Sequence, residues 1–286
     1  MGVRRRSEKM LVHAYDHGEL NRRPDELIVE EPMAIQLDGT LVATTMRTPG
    51  HDFELAVGFC HTEGLLGSAA VTGCRYCGEG PLADEVARRG TPRARRAADT
   101  DFNVVTVETG GLAPSPRARL GPITSACGLC GAATLTDLSL RLDPLPPRPL
   151  PDPRRIGEVA ERVRSQQPLF ARTGAVHAAA AFDDAGDLVV VREDIGRHNA
   201  VDKVVGNLLL QGRLPAHDLG LFVSSRASFE MVQKAWAGGF PLLMAVSAPS
   251  SLAVATARAA RMTLAGFVRD HRLTVYAPER ISDTDR

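Results

Sequence analysis

Two hydrophobic periods alternate along the second half of the chain. Apolar residues recurring every third or fourth position predict a helix over 197–210, and short β-branched or apolar runs around it predict strands. Further strands are predicted at 175–182, 188–191, 219–224, 242–246, 264–268 and 273–276, and further helices at 228–237 and 251–261. This order of elements is typical of a largely parallel sheet with helices on its faces.

Strand patterns dominate the first half. Asp38-Gly39 is a hairpin turn signal between predicted strands at 28–37 and 41–46, and another strand is predicted at 101–109. Helices are predicted from Phe53 to Leu66 and from Ala132 to Leu142. The sequence therefore predicts an α/β fold with a smaller, mainly β N-terminal subdomain.

A proline-rich segment at 143–153 divides these two halves. Six of its eleven residues are proline, which locks φ and removes backbone donors, so we expect an extended, semi-rigid spacer. The predicted organisation is a flexible N-terminus at 1–24, an N-terminal subdomain at 25–142 that ends in a Cys-x-x-Cys loop, the linker at 143–153, and an α/β domain at 154–286.

Composition excludes several classes of protein. The 286 residues are 44% hydrophobic and 24% charged, and 34 Lys plus Arg balance 34 Asp plus Glu. This balance is typical of a soluble globular protein and shows no basic excess for nucleic acid. No run reaches the ~18 apolar residues of a membrane span, and the arginine-rich start lacks the apolar core of an export signal. We expect a cytoplasmic protein.

Polar residues follow three predicted strands, each just before a helix. The junctions are Glu193–His198, Ser224–Ser228 and Ser247–Ser251. Strands that run in parallel bring such junctions to one carboxyl edge, where ligands bind, and the N–H groups of a helix start suit an anion. Arg197 and Arg226 add charge that can hold phosphate. The junctions favour a site for a phosphate-bearing small molecule.

Simpler explanations of these junctions stay open. Asp194, Ser228 and Ser250 could act only as helix caps, which this position favours in any protein. His198 is a candidate acid–base or anion-binding group and equally a structural residue at a helix start. No Walker loop or Gly-x-Gly-x-x-Gly run is present, so the chain lacks a standard nucleotide fingerprint.

Four of the five cysteines form two Cys-x-x-Cys pairs, Cys74/Cys77 and Cys127/Cys130. The second pair precedes a predicted helix, whose N-terminal end lowers the pKa of a thiol and favours thiol exchange. Two such pairs are also the ligands of a structural zinc site, although the gap between them exceeds that of a typical zinc ribbon. The spacing of the cysteines therefore favours thiol chemistry and zinc binding equally. Cys60, inside a predicted helix, is best explained as a buried small hydrophobe.

Several long segments resemble the FdhD family of formate dehydrogenase accessory proteins. The resemblance extends from about residue 26 to 281 and is carried by Thr48–Asp52 with the helix Phe53–Leu66, Ala126–Gly131, Arg192–Lys203, Ser224–Lys234 and Thr263–Arg269. It implies a sulfurtransferase that accepts persulfide sulfur from a cysteine desulfurase. The sulfur then passes to the molybdenum or tungsten bis-molybdopterin guanine dinucleotide cofactor of formate dehydrogenase.

The resemblance also implies particular residues. The persulfide cysteine corresponds to Cys127, with Cys130 as its neighbour, and both are therefore candidate catalytic residues. The cofactor contact corresponds to Phe267, Val268, Arg269, Asp270, His271 and Arg272. The implied fold is a cytidine-deaminase-like α/β domain with a smaller subdomain, assembled as a homodimer. No resident metal site is predicted.

Two features limit the resemblance. The zinc motif of deaminases, His-x-Glu with a later Pro-Cys-x-x-Cys, is not present as a whole, and no cysteine follows residue 130, so deaminase chemistry is rejected. Cys74 and Cys77 do not belong to the family's motifs. The alternatives to a sulfurtransferase are a non-catalytic molybdenum-cofactor chaperone and a zinc-stabilised scaffold.

Overall fold

Three sheets organise the chain. The structure, a computed structural model, describes residues 5–77, 103–115, 135–146, 148–149 and 151–277. Within these ranges twelve strands form a two-stranded, a four-stranded and a six-stranded sheet, accompanied by eight helices. The fold is therefore mixed α/β, as predicted. No helix in the described ranges combines the length and apolarity needed to cross a bilayer.

The four-stranded sheet forms most of the first half. Its strands are β3 (Glu31–Leu37), β4 (Thr40–Arg47), β5 (Gly73–Tyr76) and β6 (Val104–Glu108), in the order β4-β3-β6-β5. The predicted turn joins β3 to β4, with Asp38 and Gly39 both at positive φ. Helix α1 (Asp52–Thr62) packs its apolar side on this sheet.

The six-stranded sheet has the order β12-β11-β10-β9-β7-β8. Its strands are β7 (His177–Phe182), β8 (Leu188–Asp194), β9 (Gly220–Val223), β10 (Leu242–Ala245), β11 (Thr263–Arg269) and β12 (Arg272–Ala277). Only β9, β10 and β11 pair in parallel, so the sheet is mixed rather than largely parallel. The difference arises because β7–β8 and β11–β12 are hairpins, whose short turns force antiparallel pairing.

The six-stranded sheet has a hydrophobic core on each of its two faces. One face packs against α2 (Leu135–Arg141), α6 (Arg197–Leu210), α7 (Phe229–Ala237) and α8 (Ser251–Ala259). The other face packs against α3 (Pro153–Ile156) and α4 (Val159–Ser165), and α5 (Pro168–Thr173) follows α4. Successive side chains of a strand point to opposite faces, and this period explains why Leu221 and Phe222 lie in different cores.

Helices α1 and α6 join the two halves through a close glycine contact. A Cβ atom on Gly58 would lie 1.9 Å from the carbonyl oxygen of Asp202, and one on Gly206 would lie 1.8 Å from that of Glu54. Neither position can hold a larger residue without separating the helices. The two halves therefore pack backbone to backbone along this crossing.

Buried charges reinforce the same joint. Lys234 of α7 donates to both carboxylate oxygens of Asp202 at 2.9 Å, to Glu63 at 3.2 Å and to Thr62 at 2.9 Å. Burial raises the pKa of Asp202 from 3.8 to about 6, although Lys234 opposes this rise. One ammonium group is thus shared between two buried carboxyl groups.

The N-terminal residues form a hairpin where the sequence analysis expects no regular structure. Strand β1 (Ser7–Asp16) pairs with β2 (Glu19–Ile28) along ten residue pairs, and the turn uses His17 and Gly18 at positive φ. Both faces of the hairpin are largely exposed, so its sequence is polar and lacks the alternation of apolar and polar residues that predicts a strand. Arg172 of α5 bonds to Glu26 at the base of the hairpin, 3.4 Å away.

The described residues of the proline-rich segment lie against the second half. Leu145 is buried in its core and its N–H donates to the carbonyl of Ala260, and the indole of Trp236 donates to the carbonyl of Asp143 at 2.8 Å. Helix α2 places Leu138 in the same core. The predicted domain boundary stays a prediction, but residues on both sides of it pack on one sheet.

Candidate functional site

Strand ends meet along one edge of the six-stranded sheet. Asp194, the last residue of β8, lies opposite His177, the first residue of β7. The next residue, Ala178, donates its N–H to the Ser224 hydroxyl at 2.8 Å and accepts the Ser224 N–H at 2.9 Å. Because β7 is antiparallel to both β8 and β9, the ends of β8, β9 and β10 share this edge. The three polar junctions therefore lie together, as predicted.

A cavity of about 870 Å³ opens at this edge, between the strand ends and helices α4 and α5. Its size lies within the ~300–1,000 Å³ typical of small-molecule sites. The apolar part of its wall includes Phe170, Val176, Phe222, Val246 and Val268. The polar side chains that line it include Glu161, Arg164, Gln167, His177, Ser224 and Arg269. The cavity thus combines apolar walls with several polar and charged side chains that could orient a ligand.

A buried glutamate holds one wall of the cavity in place. Glu193, 5% exposed, accepts the N–H groups of Leu169 at 3.0 Å and Phe170 at 2.8 Å. These are free donors of the first turn of α5, so the carboxylate fixes the start of this helix. The guanidinium of Arg164 lies 3.9 Å from the centre of the Phe170 ring, a cation–π distance. Glu193 therefore positions the aromatic wall and does not itself face the cavity.

The imidazole of His177 lies among charged neighbours. Burial lowers the pKa of His177, the positive charge of Arg197 lowers it further, and Asp194 opposes both effects. A lowered pKa favours the neutral ring at pH 7. His177 can therefore offer the cavity one ring nitrogen as an acceptor and the other as a donor.

The predicted cofactor segment forms a kinked hairpin beside the cavity. Phe267, Asp270 and His271 all have positive φ, which is uncommon outside glycine. Val268 is fully buried and lines the cavity together with the exposed Arg269. The structure therefore brings two of the six predicted residues to the cavity wall.

The other four predicted residues lie at the surface of this hairpin. Phe267 is 41% exposed, and Asp270, His271 and Arg272 are exposed around the turn. The N–H of Asp270 donates to Glu161 at 2.9 Å, which attaches the turn to α4. Their contact with a cofactor stays a prediction.

The junction residues have separate roles. Asp194 accepts the N–H of Gly196 at 2.8 Å and forms a fully buried ion pair with Lys203 at 2.7 Å, so its carboxylate is already bound. Ser250 is a helix cap, accepting the N–H of Ala253 at 3.1 Å. Arg226 is exposed, and Arg197 approaches His177. Phosphate binding at the junctions stays a prediction.

The predicted catalytic cysteines, Cys127 and Cys130, lie outside the described residues. Cys60 is buried, as predicted, and burial raises the pKa of its thiol. Burial also raises the pKa of Cys74 to about 12. Among residues 5–77, 103–115, 135–146, 148–149 and 151–277, no group of three or more His, Cys, Asp and Glu side chains could hold a metal ion. A zinc site that includes Cys127 and Cys130 remains a hypothesis.

Nearly half of the cavity wall lies in a segment for which the sequence pattern predicts no element. This segment, 154–174, contains α4, α5 and the side chains of Glu161, Arg164 and Gln167. These helices are only seven and six residues long, too short for a clear periodic pattern. The signal that could have found α5 is Pro168, since proline is favoured at the first helical position.

The fold and the cavity together define a mixed α/β protein with a large cavity at a strand edge. The sequence profile of the FdhD/NarQ family matches residues 28–282. The chain therefore belongs to the FdhD/NarQ family.

Similar proteins include two named sulfur carrier protein FdhD. That of Corynebacterium efficiens is 44% identical over 270 residues, covering 91% of this chain and 92% of the relative. That of Streptomyces avermitilis is 44% identical over 281 residues, covering 96% and 94%. A solved structure from Desulfotalea psychrophila, assigned as a formate dehydrogenase accessory protein, has a TM-score of 0.75 and 25% identity, covering 97% of this chain and 100% of that chain.

Proposed function

We propose that this protein is a sulfur carrier for formate dehydrogenase. A cysteine desulfurase supplies sulfur to Cys127, and the resulting persulfide delivers it to the molybdenum bis-molybdopterin guanine dinucleotide cofactor. In the loading step the Cys127 thiolate attacks the outer sulfur of the donor persulfide. A new S–S bond forms on Cys127, the donor S–S bond breaks, and the donor cysteine leaves as a thiolate. In the delivery step the Cys130 thiolate attacks the inner sulfur, the Cys127 persulfide S–S bond breaks, the outer sulfur leaves as sulfide, and a Cys127–Cys130 disulfide forms.

The observation that carries the proposal is the cavity beside Val268 and Arg269, in a chain of this family. A sulfur carrier with a specific acceptor needs a place that holds the acceptor, and the cavity provides one. Its volume of about 870 Å³ suits a single ring-and-phosphate end of the cofactor rather than the whole molecule. The names of the relatives add the sulfur-carrier role.

Mass spectrometry after loading tests the proposal. The protein is incubated with a cysteine desulfurase and cysteine, and the intact mass and its peptides are examined for one added sulfur atom. We expect the sulfur on Cys127 and none on the Cys127→Ala variant. Cys77→Ala is the matched control, since it removes one cysteine of the other Cys-x-x-Cys pair and should leave loading unchanged. Full loading of the Cys127→Ala variant would refute the assignment.

A non-catalytic cofactor chaperone is the second candidate. It is favoured by the wall of the cavity, where the described lining residues include no cysteine. A chaperone of this kind would bind and deliver the cofactor without sulfur transfer. The Cys127→Ala variant would then still support active formate dehydrogenase in a strain that lacks the native gene, whereas a sulfur carrier would fail this complementation.

The proposal also covers the fold of the second half, the cellular compartment and the oligomeric state. The second half is proposed to be cytidine-deaminase-like in fold without deaminase chemistry, because the chain lacks the complete zinc motif. The protein is proposed to act in the cytoplasm as a homodimer, with Cys130 assisting Cys127. Size-exclusion chromatography with light scattering tests the dimer directly.

A further inference from the structure

The N-terminal hairpin presents large apolar side chains to solvent. Strands β1 and β2 form a sheet of their own within the described part of the chain, and a two-stranded sheet by itself is only marginally stable in water. Leu11, Tyr15 and Leu20 are nevertheless 59%, 76% and 67% exposed, and Met10 and Leu27 are each 40% exposed. So much apolar surface on a two-stranded element indicates a surface that another chain covers.

The two edges of this hairpin differ. The N–H of Val29 donates to the carbonyl of Arg6 at 2.9 Å, and opposite residues of an antiparallel ladder alternate between bonded and unbonded pairs. The odd-numbered residues of β1 and the even-numbered residues of β2 therefore direct their backbone groups away from the hairpin. On β2 one of these residues is Pro24, which has no N–H to donate. The edge of β2 is thus blocked, whereas the edge of β1 contains no proline and is open to a further strand.

One face of the hairpin is basic along the open edge. It carries the exposed side chains of Lys9 and His13, and His13 lies opposite Arg22 of β2. Within β1 and β2 the only acidic residue on this face is Glu26, which already pairs with Arg172 of α5 at 3.4 Å. This face therefore attracts acidic side chains.

The other face of the same edge is apolar at its centre. Met10, Val12 and Ala14 follow one another on this face, because alternate residues of a strand point the same way. A strand added to the open edge would place every second side chain beside the basic residues and the remaining side chains beside these apolar ones.

We propose that the open edge of β1 binds an extended segment of a partner protein in which acidic residues alternate with apolar ones. The outward backbone groups of Lys9, Leu11 and His13 bond to the segment. These main-chain bonds supply affinity, and the alternating side chains supply specificity. This binding surface goes beyond the sulfur carrier and needs none of its chemistry.

A second copy of this chain is a poorer occupant of the edge. Two-fold antiparallel pairing of two β1 strands keeps corresponding side chains on the same face of the joined sheet. Lys9 and Arg22 of both copies would then share one face, where like charges repel.

Peptide binding to the full-length protein tests the proposal. Fluorescence anisotropy compares a labelled Val-Glu-Val-Glu-Val-Glu-Val peptide with its counterpart that carries lysine in place of glutamate. We expect the glutamate peptide to bind roughly tenfold more tightly, with a smaller difference at high salt. Leu11→Pro removes an outward N–H without removing a β1–β2 bond, and should weaken binding by roughly tenfold or more. Leu20→Pro does the same at the blocked edge and should leave binding unchanged.

Amide hydrogen exchange checks where the peptide lies and whether the variants keep the hairpin. The peptide should slow exchange at Lys9, Leu11 and His13. It should have little effect at Met10 and Val12, whose N–H groups already bond to β2. If Leu11→Pro loses protection at these two residues, the hairpin has opened and Lys9→Glu replaces it. That variant keeps every backbone N–H and should reverse the preference between the two peptides.

Two results would overturn the proposal. One is equal affinity for the glutamate and lysine peptides, or undiminished binding by a Leu11→Pro protein that keeps its hairpin. The other is a wild-type dimer in light scattering that Leu11→Pro converts to a monomer, since a second copy would then occupy the edge. A wild-type protein that takes sulfur on Cys127 but does not bind the glutamate peptide overturns this proposal alone and leaves the sulfur carrier standing.

Discussion

The shared ion pair at the joint predicts an unusual dependence of stability on pH. Burial raises the pKa of Asp202 from 3.8 to about 6, so between these values the folded protein binds a proton that the unfolded chain does not. Stability from this group therefore rises as the pH falls through 6. Lowering the pH from 8 to 5 should add about 1.4 kcal/mol to the free energy of unfolding, and this gain grows further toward pH 4.

Asp202→Asn removes the titrating group while keeping the shape of the side chain. Urea unfolding at pH 8 and pH 5, followed by circular dichroism, measures the free energy of unfolding of both proteins. The wild type should gain about 1.4 kcal/mol relative to Asp202→Asn over this interval. The difference between the two proteins cancels the effect of other titrating groups. Glu54 is one such group, and because its pKa is lowered from 4.5 to about 2, its effect on stability falls mainly below pH 5. The exposed Asp218→Asn is the control and should follow the wild type. Equal pH dependence in the wild type and Asp202→Asn would refute the argument.

Two further substitutions probe the joint between the halves. Gly206→Ala places a Cβ 1.8 Å from the carbonyl oxygen of Glu54, so the helices must separate; we expect a loss of about 1–3 kcal/mol or more in urea unfolding, and stability equal to the wild type would contradict the contact. Lys203→Met leaves Asp194 fully buried without its counter-charge, and we expect a loss of about 3–5 kcal/mol at pH 7, measured in the same way. A loss below about 1 kcal/mol would mean that the carboxylate is compensated elsewhere.

The structure changes the interpretation of two sequence motifs. Glu193 and Asp194 were placed at a ligand-binding junction by their position after a strand. Their carboxylates instead fix the start of α5 and neutralise Lys203. Glu193 and Asp194 thus stabilise the structure around the cavity without lining it. Other polar residues of the same edge, including His177 and Ser224, line the cavity.

Local pattern by itself determined most of the regular elements. The helix at Arg197–Leu210 and the hairpin turn at Asp38-Gly39 follow from helical periodicity and from backbone conformations that only a few residues tolerate. Both signals are contained within a short window of chain, so no knowledge of distant residues is needed. The family resemblance was likewise readable from segments in their order, and it is confirmed.

Only the tertiary structure decided where the cavity lies and which residues line it. His177 and Ser224 are far apart in sequence and line the same cavity because β7 pairs antiparallel with both β8 and β9. The pairing of strands depends on contacts across the whole sheet, which no local pattern encodes. The sequence alone identified Cys127 and Cys130 as candidates for sulfur chemistry, and the structure added the cavity that could receive an acceptor.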